Sequence, residues 1–377
     1  MHHSARWPQA GVDFTGRRVG IIGTGSSAIQ AIPIIACQAR HLTVFQRTPN
    51  FSVPAWNGPL SDEARQETKR YYGELRRKAR TSYSGDFPDE MQCALLKLTP
   101  EERERELERC WQLGGFNIQY VFSDVMESME ANELACEFVR RKIRATVKDP
   151  LVAERLCPKG HALGAKRLCV DTGYYETYNR ANVRLVDIKS DPIESFTARG
   201  LKSHGAEHEF DDLVLATGFD AMTGALAGIV IRGRGGLKLT DYWRDGPVAY
   251  LGLSVAGFPN LFTITGPGSP SVLTNVLLAC EQHVEWVGDL LGHARKQGLD
   301  LIEAKPGTDS DWAHKVSEAA NRTVYPIAES WYLGANVPGK PRVFMPYAEG
   351  FCVYTAACDR VAANGYEGFE LTAAQAG

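Results

Sequence analysis

The sequence lacks several things, and each absence closes a class of function. It has no excess of positive charge: 42 Lys and Arg against 45 Asp and Glu give a formal net charge of −3. That argues against general nucleic-acid binding, which favours a basic surface. Its nine cysteines include no CxxC pair and no even spacing, so free thiols in a reducing cytoplasm are expected rather than a disulfide framework. There is no HExxH and no Cys/His cluster at zinc spacing, so no metal site is read. No GxSxG elbow is present either. One stretch, Val19 to Ala39, could pass for a membrane span because it carries no charge. It holds three glycines, two serines and Pro33, and its period switches from strand to helix, so no membrane segment is read. Met1 to Pro8 has no apolar signal-peptide core.

What is present starts from Gly16 to Pro49. Val19-Gly20-Ile21-Ile22 is a short β-branched run suited to a buried parallel strand. Gly23-Thr24-Gly25-Ser26-Ser27-Ala28 follows, a G-x-G-x-x-A turn. From Ser26 the pattern becomes helical, with Ile29, Ile32 and Ala36 on one face. Leu42-Thr43-Val44-Phe45 is a second strand. Gly23 permits the tight turn, Gly25 lets a diphosphate approach the backbone, and Ala28 lets the helix pack on the strand. The helix N-terminus then offers N–H groups and a partial positive charge to the phosphates. The cofactor is chosen at the end of the second strand. Gln46-Arg47-Thr48-Pro49 holds no carboxylate for a ribose 2′-hydroxyl, and Arg47 falls about twenty residues past the turn, where an NADP 2′-phosphate is met. NADP is therefore read rather than NAD, the competing reading being a solvated surface arginine.

The chain's 377 residues suffice for two domains. Residues 1–10 read as a linker, with His3 and Trp7 four apart. Residues 11–56 and 151–215 read as a Rossmann-type NADP-binding domain of α/β class. The charge-rich stretch 57–150, with Glu101 to Arg109 at its centre, reads as a helical insertion with solvated faces. Strands are expected at 182–187, 209–218, 249–253 and 261–265, and a helix from about Thr274 to Ala294. Lys166-Arg167 stands in a basic, glycine-bearing loop. A fixed guanidinium there could steady a developing anion beside a cofactor, although a surface pair or a phosphate contact would read the same way.

These segments together resemble the flavin-dependent Baeyer–Villiger monooxygenases, along nearly the whole chain. The resemblance rests on His3-x-x-x-Trp7-Pro8, similar to the back half of the family fingerprint. It rests also on Gly23 to Ala28, Phe45 to Pro49, Ala216-Thr217-Gly218-Phe219-Asp220, Gly266 to Ser271, and Trp331 to Arg342. The resemblance implies an enzyme in which NADPH reduces FAD and one atom of O2 is inserted next to a ketone carbonyl, giving an ester or lactone. It implies Arg167 as the arginine that steadies the anionic oxygen species and Trp331 on an active-site loop. Lys166, Arg47 and Thr48 would hold NADP, Ala216 to Gly218 would border a cofactor, and Ser271, Val272 and Leu273 would lie near flavin and substrate. Residues 216–377 would be the C-terminal part of a FAD and substrate domain. Two departures stand out. The family's first glycine turn, for FAD, has no counterpart here, so an N-terminally truncated chain with its FAD half missing or supplied elsewhere is expected. Glu349 replaces a glycine and is expected to crowd a tight backbone. Two other functions remain open at this point: a catalytically incompetent NADP-binding fragment, and a heteroatom-oxidising flavin monooxygenase.

Overall fold

The computed structural model describes residues 1–86 and 93–373. It divides into two compact units, Met1–Pro59 with Met91–Phe219, and Leu60–Glu90 with Asp220–Gly377. The chain enters the first unit with β1 (His2–His3), β2 (Arg18–Ile22), α1 (Ser26–Gln38), β3 (His41–Gln46) and β4 (Ser52–Pro54). Then α2 (Asp62–Arg70) and α3 (Tyr72–Thr81) belong to the second unit. The first resumes with α4 (Pro100–Leu113), α5 (Asn117–Tyr120), α6 (Met129–Thr146), α7 (Pro150–Leu156), β5 (Cys169–Asp171), α8 (Tyr174–Thr177) and β6 (Val183–Asp187). It ends with the antiparallel β7 (Ser195–Phe196), β8 (Gly200–Ser203) and β9 (Ala206–Glu209), then β10 (Asp212–Leu215). The second unit continues with α9 (Gly224–Ala227), α10 (Leu239–Tyr242), α11 (Val276–Lys296), β11 (Leu301–Ala304), α12 (Thr308–Asn321), α13 (Phe351–Ala363) and β12 (Phe369–Thr372).

The first unit is built on a five-stranded parallel sheet in the order β1-β10-β2-β3-β6. Alternation decides which side chain goes where. Val19, Ile21, Leu42 and Val44 face the buried stripe Ile29, Ile32 and Ala36 of α1, in a core that also takes Phe138, Val139 and Ile143 of α6. Ile22, Phe45, Val186 and Leu213 form the opposite layer with Leu201 of β8. A parallel sheet covered on both faces explains why its strands read as unbroken apolar runs. His2 and His3, expected as linker, pair with Val214 and Leu215 at the sheet edge.

The charge-rich stretch is helical, and its charges do more than face water. Thr99 and Glu102 close a capping box on α4, with Pro100 at the first turn. Glu104 then meets Arg141 and Glu108 meets Lys142 on α6, at 2.6 and 2.5 Å. Such exposed pairs contribute little each but fix which helix faces which. The stretch is also shared between units. In the second unit Arg76 and Arg80 of α3 pair with Glu281 and Glu285 of α11, and Ala79 packs with Leu278, Ala279 and Phe351.

The expected strands at 249–253 and 261–265 are corrected. Isolated bridges, Tyr250 to Ser254 and Ser254 to Phe262, stand there instead. The cause is local: Leu251, Gly252 and Thr265 take positive φ of 57°, 71° and 54°, which no strand accommodates. Among the described residues no helix is long and apolar enough to cross a membrane.

Candidate coenzyme cradle and active site

The cradle forms where the carboxyl ends of β2, β3 and β10 meet the start of α1, the edge at which doubly wound sheets bind ligands. Gly23 donates its N–H to Phe45 O at 3.0 Å, and Ala216 donates to Ile22 O at 2.9 Å. Gly23 has φ +115°, and a Cβ there would stand 2.3 Å from Ala216 O, so only glycine fits. Gly25 is the N-cap of α1 with no side-chain cap. Gly25, Ser26 and Ser27 are exposed while Ala28 is buried against the sheet. The first-turn N–H groups therefore have no intrahelical partners and face outward, as a diphosphate requires. Thr24 Oγ1 donates to Thr48 O at 2.9 Å, tying the turn to the end of the second strand.

The two basic stretches of the sequence are brought beside this turn. His161 Nε2 lies 3.2 Å from Pro49 O and its Nδ1 lies 3.1 Å from Ala162 O. Burial draws the His161 pKa below its ordinary value, and a neutral imidazole donates to only one carbonyl. Asn50 Nδ2 donates to Arg167 O at 3.0 Å and reaches Cys169 Sγ at 3.1 Å. Lys166 and Arg167 are both half-buried and Arg47 is exposed. The Arg167 guanidinium sits 4.7 Å over the Phe116 ring, within cation–π range. Thr217 and Gly218 continue from Ala216 as an exposed turn, Gly218 at φ +105°. His3 lies beside Leu215 in the sheet register, and Trp7, 39% exposed, packs near the rings of His2 and Phe14. Asn50, Phe116 and His161 were not singled out from sequence. A polar side chain directly after Arg47-Thr48-Pro49, and a histidine inside the basic glycine loop, were the available signals.

The remaining candidates belong to the second unit. Ser271–Leu273 is a single 3₁₀ turn. Ser271 is buried at φ +47°, and its hydroxyl lies 3.4 Å from Met222 Sδ. Trp331 opens another 3₁₀ turn, its ring 4.4 Å from that of Tyr332. Met345 joins these two places through its backbone: its N–H donates to Tyr332 O at 3.0 Å and its carbonyl accepts from Gly268 at 2.7 Å. Glu349 does not crowd its backbone, since the positive φ in that stretch, +93°, belongs to Gly350. Its carboxylate pairs with Arg322 and accepts from the Tyr347 hydroxyl. Burial and that neighbouring carboxylate push the Tyr347 pKa well above the usual phenol range. Among the described residues no group of three His, Cys, Asp or Glu could hold a metal ion.

No protein-family model matches the chain. Individual proteins do. It is 39% identical over 374 residues to cyclohexanone 1,2-monooxygenase of an Acinetobacter species, an alignment covering 98% of this chain and 68% of that protein. The chain belongs to the Baeyer–Villiger monooxygenases. A Baeyer–Villiger monooxygenase of Pseudooceanicola batsensis is 41% identical over 367 residues, covering 97% of this chain and 66% of that one. The chain thus spans about two thirds of the length of the curated relatives it matches. Among solved structures, a steroid monooxygenase bound to NADP superposes with a TM-score of 0.93 at 49% identity, covering 98% of this chain and 70% of that one. The closed form of a cyclohexanone monooxygenase gives 0.94 at 42% identity, covering 99% and 70%.

As a Baeyer–Villiger monooxygenase the chain can be asked which cofactor groups its own residues fit. NADP fits: nothing stands within 4 Å of where a Cβ would be at Gly25, which leaves the start of the helix open to a diphosphate, and Arg47 stands at the strand end with no carboxylate beside it in sequence. For FAD, no second strand–glycine-turn–helix cradle for its diphosphate lies among the described residues.

Proposed function

We propose that this chain carries the NADP cradle and part of the flavin side of an enzyme that oxidises a ketone to an ester or lactone with NADPH and O2. The observation that carries the reading is the Gly23–Ala28 turn, shaped for a diphosphate, with Arg47 at the end of the neighbouring strand. When bound, NADPH and FAD supply the electrons and the activation of O2. Gly23, Thr24, Gly25, Ser26, Ser27 and Ala28 hold the diphosphate; Arg47 and Lys166 hold the 2′-phosphate by charge, and Thr48 borders the coenzyme beside Arg47. Ala216, Thr217 and Gly218 border the coenzyme at the same sheet edge. Arg167 steadies anionic charge that develops during oxygen transfer. Ser271, Val272, Leu273 and Trp331 line the side where flavin and ketone meet, and Trp331 helps exclude water. His3 and Trp7 steady the sheet edge beside Ala216. Nine free thiols fit a reducing cytoplasm.

The test is a titration of the full chain with NADPH and NADH, followed by NADPH oxidation with added FAD and a panel of cyclic, aryl and steroid ketones. Tighter binding of NADPH, with ester formed only when ketone is present, is the expected result. Equal affinity for both coenzymes, or ketone-independent turnover alone, would overturn it.

A further inference from the structure

The Gly266–Ser271 turn is strained and held from one side. Thr265 and Ser271, neither of them glycine, take φ of +54° and +47° around Gly268 at +94°. Non-glycine residues persist in that region only where the surroundings over-determine them. Three bonds do so. Gly268 N–H donates to Met345 O at 2.7 Å, Tyr347 N–H donates to Ser269 O at 2.8 Å, and Trp312 Nε1–H donates to Gly268 O at 2.8 Å. Tyr347 is buried and stacks on Trp312, ring centroids 5.4 Å apart and planes 16° from parallel. Two of the three partners of the turn, Tyr347 and Trp312, are therefore partners of each other.

Glu349 holds the polar end of the Tyr347 ring. A buried phenol needs an acceptor, and the Glu349 carboxylate supplies one. Its other oxygen pairs with Arg322, the C-cap residue of α12. Trp312 lies in the first turns of that same helix. Segment 345–349 is thus fastened to α12 at both ends, by the stack at Trp312 and by the ion pair at Arg322. From this geometry we infer that Glu349 is a positioning residue: with Arg322 it latches Tyr347 against Trp312 and so sets the backbone of the Gly266–Ser271 turn for oxygen transfer. The latch stands on contacts within the second unit; its consequence for turnover rests on the reading above that Ser271 to Leu273 border flavin and ketone.

The experiment uses the full chain with Glu349→Ala, Glu349→Gln and Tyr347→Phe. One readout needs no cofactor: the near-UV circular dichroism of the Trp312–Tyr347 stack, taken as the difference from Trp312→Phe. The other is kcat against KM with FAD, NADPH and ketone. Glu349→Ala should lose most of the stack signal and lower kcat about ten-fold, the weight of one charge-assisted hydrogen bond, with KM for NADPH unchanged. Glu349→Gln keeps an acceptor for Tyr347 and should recover kcat to within about three-fold of wild type, because a neutral hydrogen bond is roughly half as strong. An unchanged stack signal in Glu349→Ala would sink the latch. A lost signal with unaltered kcat, or a fall in kcat that glutamine does not relieve, would sink the positioning role. A wild-type chain that binds NADPH yet never forms ester would instead overturn the functional reading, while the dichroism still judges the latch.

Discussion

The coenzyme cradle and the Gly266–Ser271 turn are held in place by opposite means. The cradle is held by repeating backbone ladders, with five residues of β2 in register with β3 and four with β10. Its positive-φ positions, Gly23 at +115° and Gly218 at +105°, are both met by glycine. The turn has no ladder. It is held by the Trp312 indole, the Tyr347 backbone and, through the Tyr347 ring, Glu349, and two of its positive-φ positions are filled by Thr265 and Ser271. Backbone pairing is insensitive to most side-chain changes, whereas a side-chain clamp fails when one atom is removed. The cradle should therefore break at its glycines and survive polar deletions, and the turn should behave the other way round.

The largest effect is expected at Gly23. In Gly23→Ala the new Cβ would meet Ala216 O at 2.3 Å. That oxygen belongs to the sheet edge and has nowhere to go, so a cost of about 4 kcal/mol or more is expected, with coenzyme binding lost. Gly268→Ala is the matched change in the turn. There the nearest atom is Trp312 Cδ1 at 3.1 Å, an overlap far milder than the one at Gly23, and urea melts of the two variants should differ by about 2 kcal/mol. Equal costs would dissolve the contrast.

Next in size is a pH effect tied to the turn. His283 is fully buried, and its Nδ1 accepts from Thr265 N–H at 2.9 Å. Burial draws its pKa from 6.5 down to about 4. On acidification the unfolded chain takes up a proton that the folded chain refuses. The His283 contribution is thus whole above pH of about 6.5 and is lost as pH falls towards about 4, by about 3 kcal/mol in all. His283→Gln should flatten that part of the stability profile, whatever the remaining carboxylates do below it. A variant with the wild-type slope would remove His283 as its source.

The contrast also explains what the sequence made legible. The βαβ unit could be read because strand and helix impose periods of two and 3.6 on Val19 to Val44, and because Gly23 and Gly25 have few other reasons to be there. The coenzyme preference was read from one position, Arg47, and that reading predicts an intermediate effect. Arg47→Ala should weaken NADPH by about ten- to a hundred-fold, the weight of a charge-assisted contact, and leave NADH unchanged in the same titration. The turn could not be read this way. Positive φ at Leu251, Thr265 and Ser271 has no residue signature, which is why strands were expected at 249–253 and 261–265. The Trp312–Tyr347 stack joins residues far apart in sequence, and nothing local announces it. Glu349 drew attention as an obstacle; only the positions of Arg322 and Tyr347 reveal a carboxylate with two partners.

The smallest effect separates the two designs most cleanly. Trp312→Phe keeps an aromatic face for Tyr347 but removes the indole N–H that bonds Gly268 O at 2.8 Å. Gly268 is buried, so its carbonyl loses that donor where water cannot readily replace it, at a cost of about 1–2 kcal/mol. Thr24→Val is the counterpart in the cradle, deleting the 2.9 Å bond from Thr24 Oγ1 to Thr48 O while every ladder bond stays in place. Its cost should be nearer 0.5–1 kcal/mol. Pairing each with a neighbour sharpens the difference. Trp312→Phe and Glu349→Ala act on one connected clamp, so their effects on melting should fail to add, with a coupling of about 1 kcal/mol. Thr24→Val and Arg47→Ala share no partner in the ladder and should add to within about 0.5 kcal/mol. Additivity in both pairs would mean that the turn is held by independent contacts, and that the stack, the indole bond and the ion pair are neighbours rather than one device.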